Sequence, residues 1–361
     1  MGDSLRLYTG IWHTAEPLEK DWIEEIFRPY ISHYVVDGKH ELVMDDAIVF
    51  DAFTAANDPA FYARFRGKNA FLVHFLDESY EGGWEIYENF RGVIRFFWSD
   101  VFNRARVLPL PLGYNAGLEV GRPNLTPASQ RKYVWSFLGQ MNKASRPDMA
   151  AALSKVVPNF LFATDDLPGF VVHNKLENGG KRLFPKKEFG EFLFESSFSP
   201  SPMGNANIEC FRVYEALECG SIPIVEKRIT LDYYGDLLGP HPMPTVRSWR
   251  EARLLMTNLL KHPASMDQLQ RECIEWWNTY KVNYVAALGE FLHSHSDPSD
   301  QSAATGPMVS RRASRPGWQV RELLRHHDLP AFARRVRRQV ERALHTGETR
   351  TSFRPGNPDS K

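Results

Sequence analysis

Short, continuous apolar runs alternate with helical stretches along this chain, and the pattern occurs twice. That repetition limits the fold more than any other feature. The runs at 47–50, 70–76 and 92–98 are too short for helices and apolar at successive positions, as strands covered on both faces require. Residues 107–112 are extended but broken by Pro109 and Pro111, which suits an edge strand or a connector. After a turn-rich stretch at 121–129 the alternation restarts. Strands are expected at 134–138, 159–163 and 221–225, with a short strand end at 198–202. Helices are expected from Ser145 onward and at 186–195, 208–218, 248–261 and 264–294. Strands alternating with helices build parallel sheets, and 361 residues suffice for two such units. The spacing predicts an α/β protein with domains over 1–127 and 128–294. A Ser-, Asp- and Pro-containing linker over 295–316 reads as disordered, and a basic helical tail occupies 317–361.

The chain carries 44 basic and 44 acidic side chains, a balance that argues against a dedicated nucleic-acid binder. The basic residues gather after Arg311. There Phe332, Val336, Val340 and Leu344 recur every fourth residue beside Arg334, Arg335, Arg337, Arg338 and Arg342. This predicts a basic amphipathic helix over 330–345, suited to an anionic membrane surface, to packing on the acidic body, or to solvent. Cys210, Cys219 and Cys273 lack zinc-ligand spacing and are expected to be buried, reduced thiols. No run reaches the ~18 apolar residues of a membrane span, and the first residues lack a signal-peptide core. The expected location is the cytoplasm, including the inner face of a membrane.

Chemistry concentrates in residues 199–226. A small-residue loop, 199–207, contains Ser199, Ser201, Gly204, Asn205 and Asn207 and leads into the predicted helix at 208. Free N–H groups at a helix start attract phosphate, and Gly204 permits close approach. Arg212 and Glu215 lie three residues apart and share a helix face. A guanidinium there stabilises a departing diphosphate, and a carboxylate one turn later accepts ribose hydroxyls. Taken alone, the two also suit a surface ion pair. Gly139, Lys143 and Arg146 follow an earlier strand and suit a second approach to phosphate.

The words around Arg212 resemble the exostosin-type glycosyltransferases. That family joins a small-residue loop to Arg-x-x-Glu-Ala-Leu and then Gly-x-Ile-Pro-Val or Ile. The matching residues are Arg212, Glu215, Ala216, Leu217, Gly220, Ile222, Pro223 and Ile224. Within it the chain looks closest to the branch containing ribitol-phosphate xylosyltransferase. The stretch beginning Trp135-Ser-Phe-Leu-Gly139 is similar to the start of the same nucleotide-binding domain. The resemblance implies the GT-B fold, two Rossmann-like domains facing across a cleft. It implies transfer of a sugar from a nucleotide-sugar, UDP-linked by preference, to a hydroxyl of a glycan or polyol-phosphate. It places the diphosphate on Arg212 and the ribose on Glu215.

An inverting transfer needs a base for the acceptor proton. Asp77 and Glu78, after the strand 70–76, are the candidates; solvated caps are the alternative. Asp51 competes, and His74 reads as a core histidine. Tyr114 and Asn115 are placed on the acceptor side or in a plain turn. Trp84, Trp98, Trp276 and Trp277 read as core packing before sugar platforms. No Asp-x-Asp occurs, so no metal or other cofactor is expected. A nucleotide-sugar epimerase of the same fold and an inactive glycan-binding partner are the rival readings.

Overall fold

The computed structural model describes residues 6–13, 17–37, 44–52, 59–164, 186–296 and 306–327. In the first half lie β1 (Tyr8–Trp12), α1 (Lys20–Phe27), β2 (Ile31–Val36), β3 (Ala47–Asp51), α2 (Pro59–Ala63), β4 (Ala70–His74), β5 (Gly92–Arg95) and β6 (Val107–Pro109). The strands form one parallel sheet, ordered β2-β1-β3-β4-β5-β6. The second half holds β7 (Tyr133–Gly139), α3 (Arg146–Leu153), β8 (Asn159–Ala163), α4 (Lys186–Phe194), β9 (Ser196–Ser201), α5 (Phe211–Glu218), β10 (Ile222–Glu226), α6 (Tyr233–Leu238), β11 (Thr245–Val246), α7 (Trp249–Leu260) and α8 (Pro263–Ser296). Its sheet, ordered β11-β10-β9-β7-β8, is again parallel. Each sheet is wound outward in two directions from its first strand, so the direction of winding switches between β1 and β3 and between β7 and β9. Ligands of open α/β sheets bind beyond the carboxyl ends of strands at such switch points. This is the GT-B layout expected from the sequence.

The strands called from apolar runs are present, with ends trimmed by backbone geometry. The run ending at 76 stops at His74, and Leu76 turns at φ 79°. The run ending at 98 stops at Arg95, and Phe97 turns at φ 53°. The region called a strand end at 198 is a full strand, β9, buried along its whole length between β7 and β10. β1 and β2 were missed. In β1 the polar pair Thr9-Gly10 breaks the apolar run, yet every residue is buried. Gly10 is needed there, because a Cβ would lie 2.5 Å from the Tyr34 ring.

α8 has 34 residues, about 51 Å at the usual rise, and ties the halves together. Trp277 stacks on Trp22 of α1 at 5.6 Å, Phe291 covers Phe71 of β4, and the Tyr8 and Ser296 hydroxyls bond at 2.7 Å. The stretch expected to be disordered to 316 is seated from 306 onward. Met308 is fully buried, Asn103 N donates to its carbonyl at 2.9 Å, and Val309 bridges Phe102. Apolar Met308 and Val309 inside a polar stretch supply the anchor that composition averaged away. α9 (Trp318–His326) continues the segment. Trp318 packs edge-on against Tyr80 and Trp84, and Glu322 accepts from Ser99 at 2.9 Å. The amphipathic helix predicted over 330–345 lies outside the described residues. The three cysteines are buried and free, and no described helix is long and apolar enough to cross a membrane.

His326 closes this segment at the junction of the halves. Its Nδ1 accepts from Ile208 N at 3.3 Å, its Nε2 lies 3.5 Å from the Tyr80 hydroxyl, and its carbonyl accepts from Arg228 at 2.8 Å. Burial, reinforced by nearby positive charge, pulls the imidazole down to about 3 from an ordinary 6.5. The unfolded chain therefore takes up a proton that the folded chain refuses. The associated stability is present above pH 6.5 and is lost as pH falls toward 3. Urea midpoints taken at intervals from pH 7 to 4 are expected to fall more steeply in wild type than in His326→Phe; parallel curves would refute this.

Candidate active site

A cavity of about 330 Å³ opens between the carboxyl edges of the two sheets. From the second half it is lined by Gly139, Lys143, Arg146, Lys186, Gly204, Asn205, Glu209, Arg212 and Glu215, and from the first by Glu78, Phe97, Leu112 and Asn115. The end of β7, the loops after β7 and β9, and the helices α3 and α5 that follow them supply most of these groups, at the switch point of the second sheet.

Arg212, half-buried in the first turn of α5, and Glu215, buried one turn later, both line the cavity but do not pair with each other. Arg212 donates from Nη2 to the Leu138 carbonyl at 2.6 Å, and its guanidinium lies 4.0 Å from the Phe137 ring centroid. Arg146 approaches the same ring at 5.6 Å and donates to the Gln140 carbonyl at 2.9 Å. Both cations are thus held by backbone and ring, with fixed direction toward the cavity wall. Burial lowers the Arg212 pKa, though the group stays charged at neutral pH. Gly139 sits at φ 153°, and a Cβ there would come 3.2 Å from Arg212 Nη2. Glycine is the residue that leaves the guanidinium its place. Glu215 Oε1 accepts from Asn115 Nδ2 at 2.8 Å and from Lys186 Nζ at 3.4 Å. Asn115 belongs to the first half, so this contact crosses the cleft.

α5 begins at Phe211, later than the expected 208. Cys210 is extended, at φ −150° and ψ 148°, and Asn207 Oδ1 accepts from Glu209 N at 2.9 Å, holding 207–209 in a turn. The anion-receiving N–H groups anticipated at the helix start lie earlier, in the loop. Those of Asn205, Ala206 and Asn207 point at Glu78 Oε1, at 2.7, 2.7 and 3.1 Å. Consecutive N–H groups converging on one oxygen form an anion-binding nest. Gly204 flanks it, and a Cβ there would meet Glu78 Oε1 at 2.8 Å. The close approach expected at Gly204 is therefore made by a carboxylate of the opposite half.

Asp77 does not reach the cavity. Its Oδ2 pairs with Arg95 at 3.2 Å and accepts from Trp84 Nε1 at 2.9 Å, while Oδ1 accepts from Glu81 N at 2.8 Å. Arg95 is 1% exposed, with its remaining donors on Tyr87 and the Phe96 carbonyl. The pairing corrects the reading of Asp77 as a base: desolvation of Arg95 demands a carboxylate, and Asp77 supplies it. Ser199, Ser201 and Asn207 are also off the cavity. The serines lie inside buried β9, and Asn207 donates to the Tyr80 hydroxyl at 2.8 Å. Asp51 is buried beside Tyr62, His74 is a core histidine bonded to Tyr87, and Tyr114 turns away to Glu25. Trp84, Trp98 and Trp277 are buried in packing, as expected.

Glu209 was missed. It is 1% exposed and receives Leu112 N at 3.0 Å, the Tyr214 hydroxyl at 2.6 Å and the Tyr233 hydroxyl at 2.7 Å. Burial pushes its carboxyl up to about 7, against those bonds. It fastens the first half, through Leu112, to two helices of the second. Its only signal in the sequence is an acidic residue amid the apolar Ile208 and Cys210.

Solved structures with a similar course include an alpha1,3-fucosyltransferase, at TM-score 0.48 and 15% identity over 81% of this chain and 92% of that one. Another is the DNA-modifying enzyme beta-glucosyltransferase, at TM-score 0.44 and 10% identity over 79% and 99%. Ribitol-5-phosphate xylosyltransferase 1 of Mus musculus is 27% identical over 122 residues, and that of Homo sapiens is 25% identical over 121. Each match takes in 30% of this chain and 27% of the relative, so the chain spans about a quarter of the curated relatives it matches. The family described as the RXYLT1 C-terminal domain matches residues 118–295, which carry β7 to β11, α8 and the cavity loops around Arg212 and Glu215. Over 118–295, the part that supplies most of the cavity, this chain is thus similar to the RXYLT1 C-terminal domain family.

Proposed function

We propose that this chain is a glycosyltransferase that moves a sugar from a UDP-linked donor to a hydroxyl of a glycan or polyol-phosphate, with inversion and without a metal. The observation that carries this reading is convergence: Gly139, Lys143, Arg146, Arg212 and Glu215, named from the sequence, line one cavity with Glu78 facing them. In this mechanism Glu215 accepts the ribose hydroxyls, exchanging its contact with Asn115. Arg212, Arg146 and Lys143 meet the diphosphate and the charge that grows on it as the glycosidic bond breaks. Glu78 takes the acceptor proton. Its Oε1 is fixed by the backbone nest, and Oε2 has only a 3.3 Å contact from Asn205 Nδ2, so orientation is set while one oxygen stays open to the proton. The cationic lining and the lack of Asp-x-Asp support leaving-group stabilisation by side chains.

Glu78→Gln separates base from binding. Transfer from UDP-xylose is expected to fall about 10²–10⁴-fold, with UDP affinity by calorimetry within a few-fold of wild type. Undiminished transfer would remove Glu78 from the chemistry. Absence of UDP binding by the wild-type protein would sink the whole reading.

A further inference from the structure

Two polar side chains of the first half, one lining the cavity and one in the neighbouring loop, are buried without full partners among the described residues. Asn115 lines the cavity and is 7% exposed. Its Nδ2 must face the Glu215 carboxylate, at 2.8 Å, because the opposite amide orientation would set oxygen against oxygen. That leaves Asn115 Oδ1 buried with no hydrogen-bond donor. Glu19 is 1% exposed, and among the described residues neither of its carboxyl oxygens accepts from another residue. It precedes α1 yet makes no capping bond to it.

The two residues belong to one corner. Ala116 N donates to the Leu18 carbonyl at 2.6 Å, and Gly117 N donates to Asp21 Oδ2 at 2.8 Å, which binds the loop after β6 to the loop after β1. The loop after β1 is the switch point of the first sheet, the place corresponding to the donor loops of the second. Lys186, which touches Glu215 at 3.4 Å, is also near enough to Glu19 to favour its charged form. Burial nonetheless dominates and pushes the Glu19 carboxyl up to about 7.

A buried carboxyl with no donor works against folding, so its presence calls for another explanation. The unpartnered atoms are all acceptors: Asn115 Oδ1 and both Glu19 oxygens. What satisfies several buried acceptors in one corner is a ligand that brings several hydroxyl donors. We propose that Glu19 and Asn115 form the subsite that receives hydroxyl groups of a polyol or sugar acceptor, opposite the donor groups Arg212 and Glu215. This deepens the glycosyltransferase reading and rests on it. Glu19 acts by binding; the proton goes to Glu78.

The test uses the full chain and two variants. Glu19→Met keeps the side-chain length and removes the lone carboxyl, and Glu19→Gln keeps the shape with an amide. Glu19→Met is expected to raise the urea midpoint at pH 8, where the wild-type carboxyl is ionised. A lowered midpoint would mean that the carboxyl holds the fold together and would overturn the proposal. With UDP-xylose as donor and ribitol 5-phosphate as acceptor probe, Glu19→Gln is expected to raise the acceptor KM about tenfold or more, with UDP affinity within about twofold. An unchanged acceptor KM would also overturn it. The midpoint needs no substrate, so failure of the subsite is read separately from failure of wild type to bind UDP, which defeats the glycosyltransferase reading and the subsite with it.

Discussion

Replacement of Arg212 by alanine is expected to lower transfer from UDP-xylose by about 100- to 1000-fold, the usual cost of removing one preorganised donor to a developing anion. The effect should fall mainly on kcat, because the guanidinium meets more charge as the sugar departs than in the bound donor. Lysine should not restore the rate. Arg212 is aimed by a bond from Nη2 to the Leu138 carbonyl and by the Phe137 face 4.0 Å away. A lysine ammonium has neither the fork nor the flat surface to use both. Initial rates at varied donor, together with UDP calorimetry, check this; a variant that loses affinity alone would mark Arg212 as a binding group without a share in the chemical step.

Asp77→Ala is expected to act on the fold instead. Removing it strands the Arg95 guanidinium, 1% exposed and 3.2 Å from the lost carboxylate, and costs about 3–5 kcal/mol. Trp84 Nε1 and Glu81 N lose their acceptor as well. Asp77→Asn keeps an acceptor oxygen and should lose less. Equilibrium urea unfolding followed by tryptophan fluorescence reads the difference. Activity per folded molecule of Asp77→Asn should stay within a few-fold of wild type. A well-folded but inactive Asp77→Asn would return this residue to the chemistry.

These two expectations divide a pair that looked equivalent in the sequence. Asp77 and Glu78 are adjacent, both acidic, and both follow a buried strand. The strand has ended before them: Leu76 turns at φ 79° and Glu78 N donates back to the Leu76 carbonyl at 2.9 Å, so the two carboxylates leave a turn on different sides. One side here holds Arg95 from the neighbouring strand β5; the other holds the loop before α5, contributed by a chain segment more than a hundred residues away. Nothing local distinguishes them. The donor groups were easier to read. Arg212 and Glu215 take their shared face from helical spacing, and Gly139 and Gly204 are glycines because a guanidinium and a carboxylate, respectively, approach too closely for a Cβ. Ser199 and Ser201 misled for the reverse reason: small polar residues suit a phosphate loop, but they also suit a strand packed tightly on both faces, as β9 is.

Apolar runs and helical spacing determined that this chain builds two parallel α/β units, and the resemblance around Arg212 pointed to one short loop-and-helix as the proposed donor-binding segment. Periodicity and steric demand are local, so they survive in the linear order of residues. Tertiary structure alone decided that Glu78 enters the opposite nest, that Asn115 caps Glu215 across the cleft, that Glu209 fastens the halves, and that residues 306–327 seal their junction. Each of those contacts joins segments far apart along the chain, and its energy comes from excluding water between them, which no single segment does by itself.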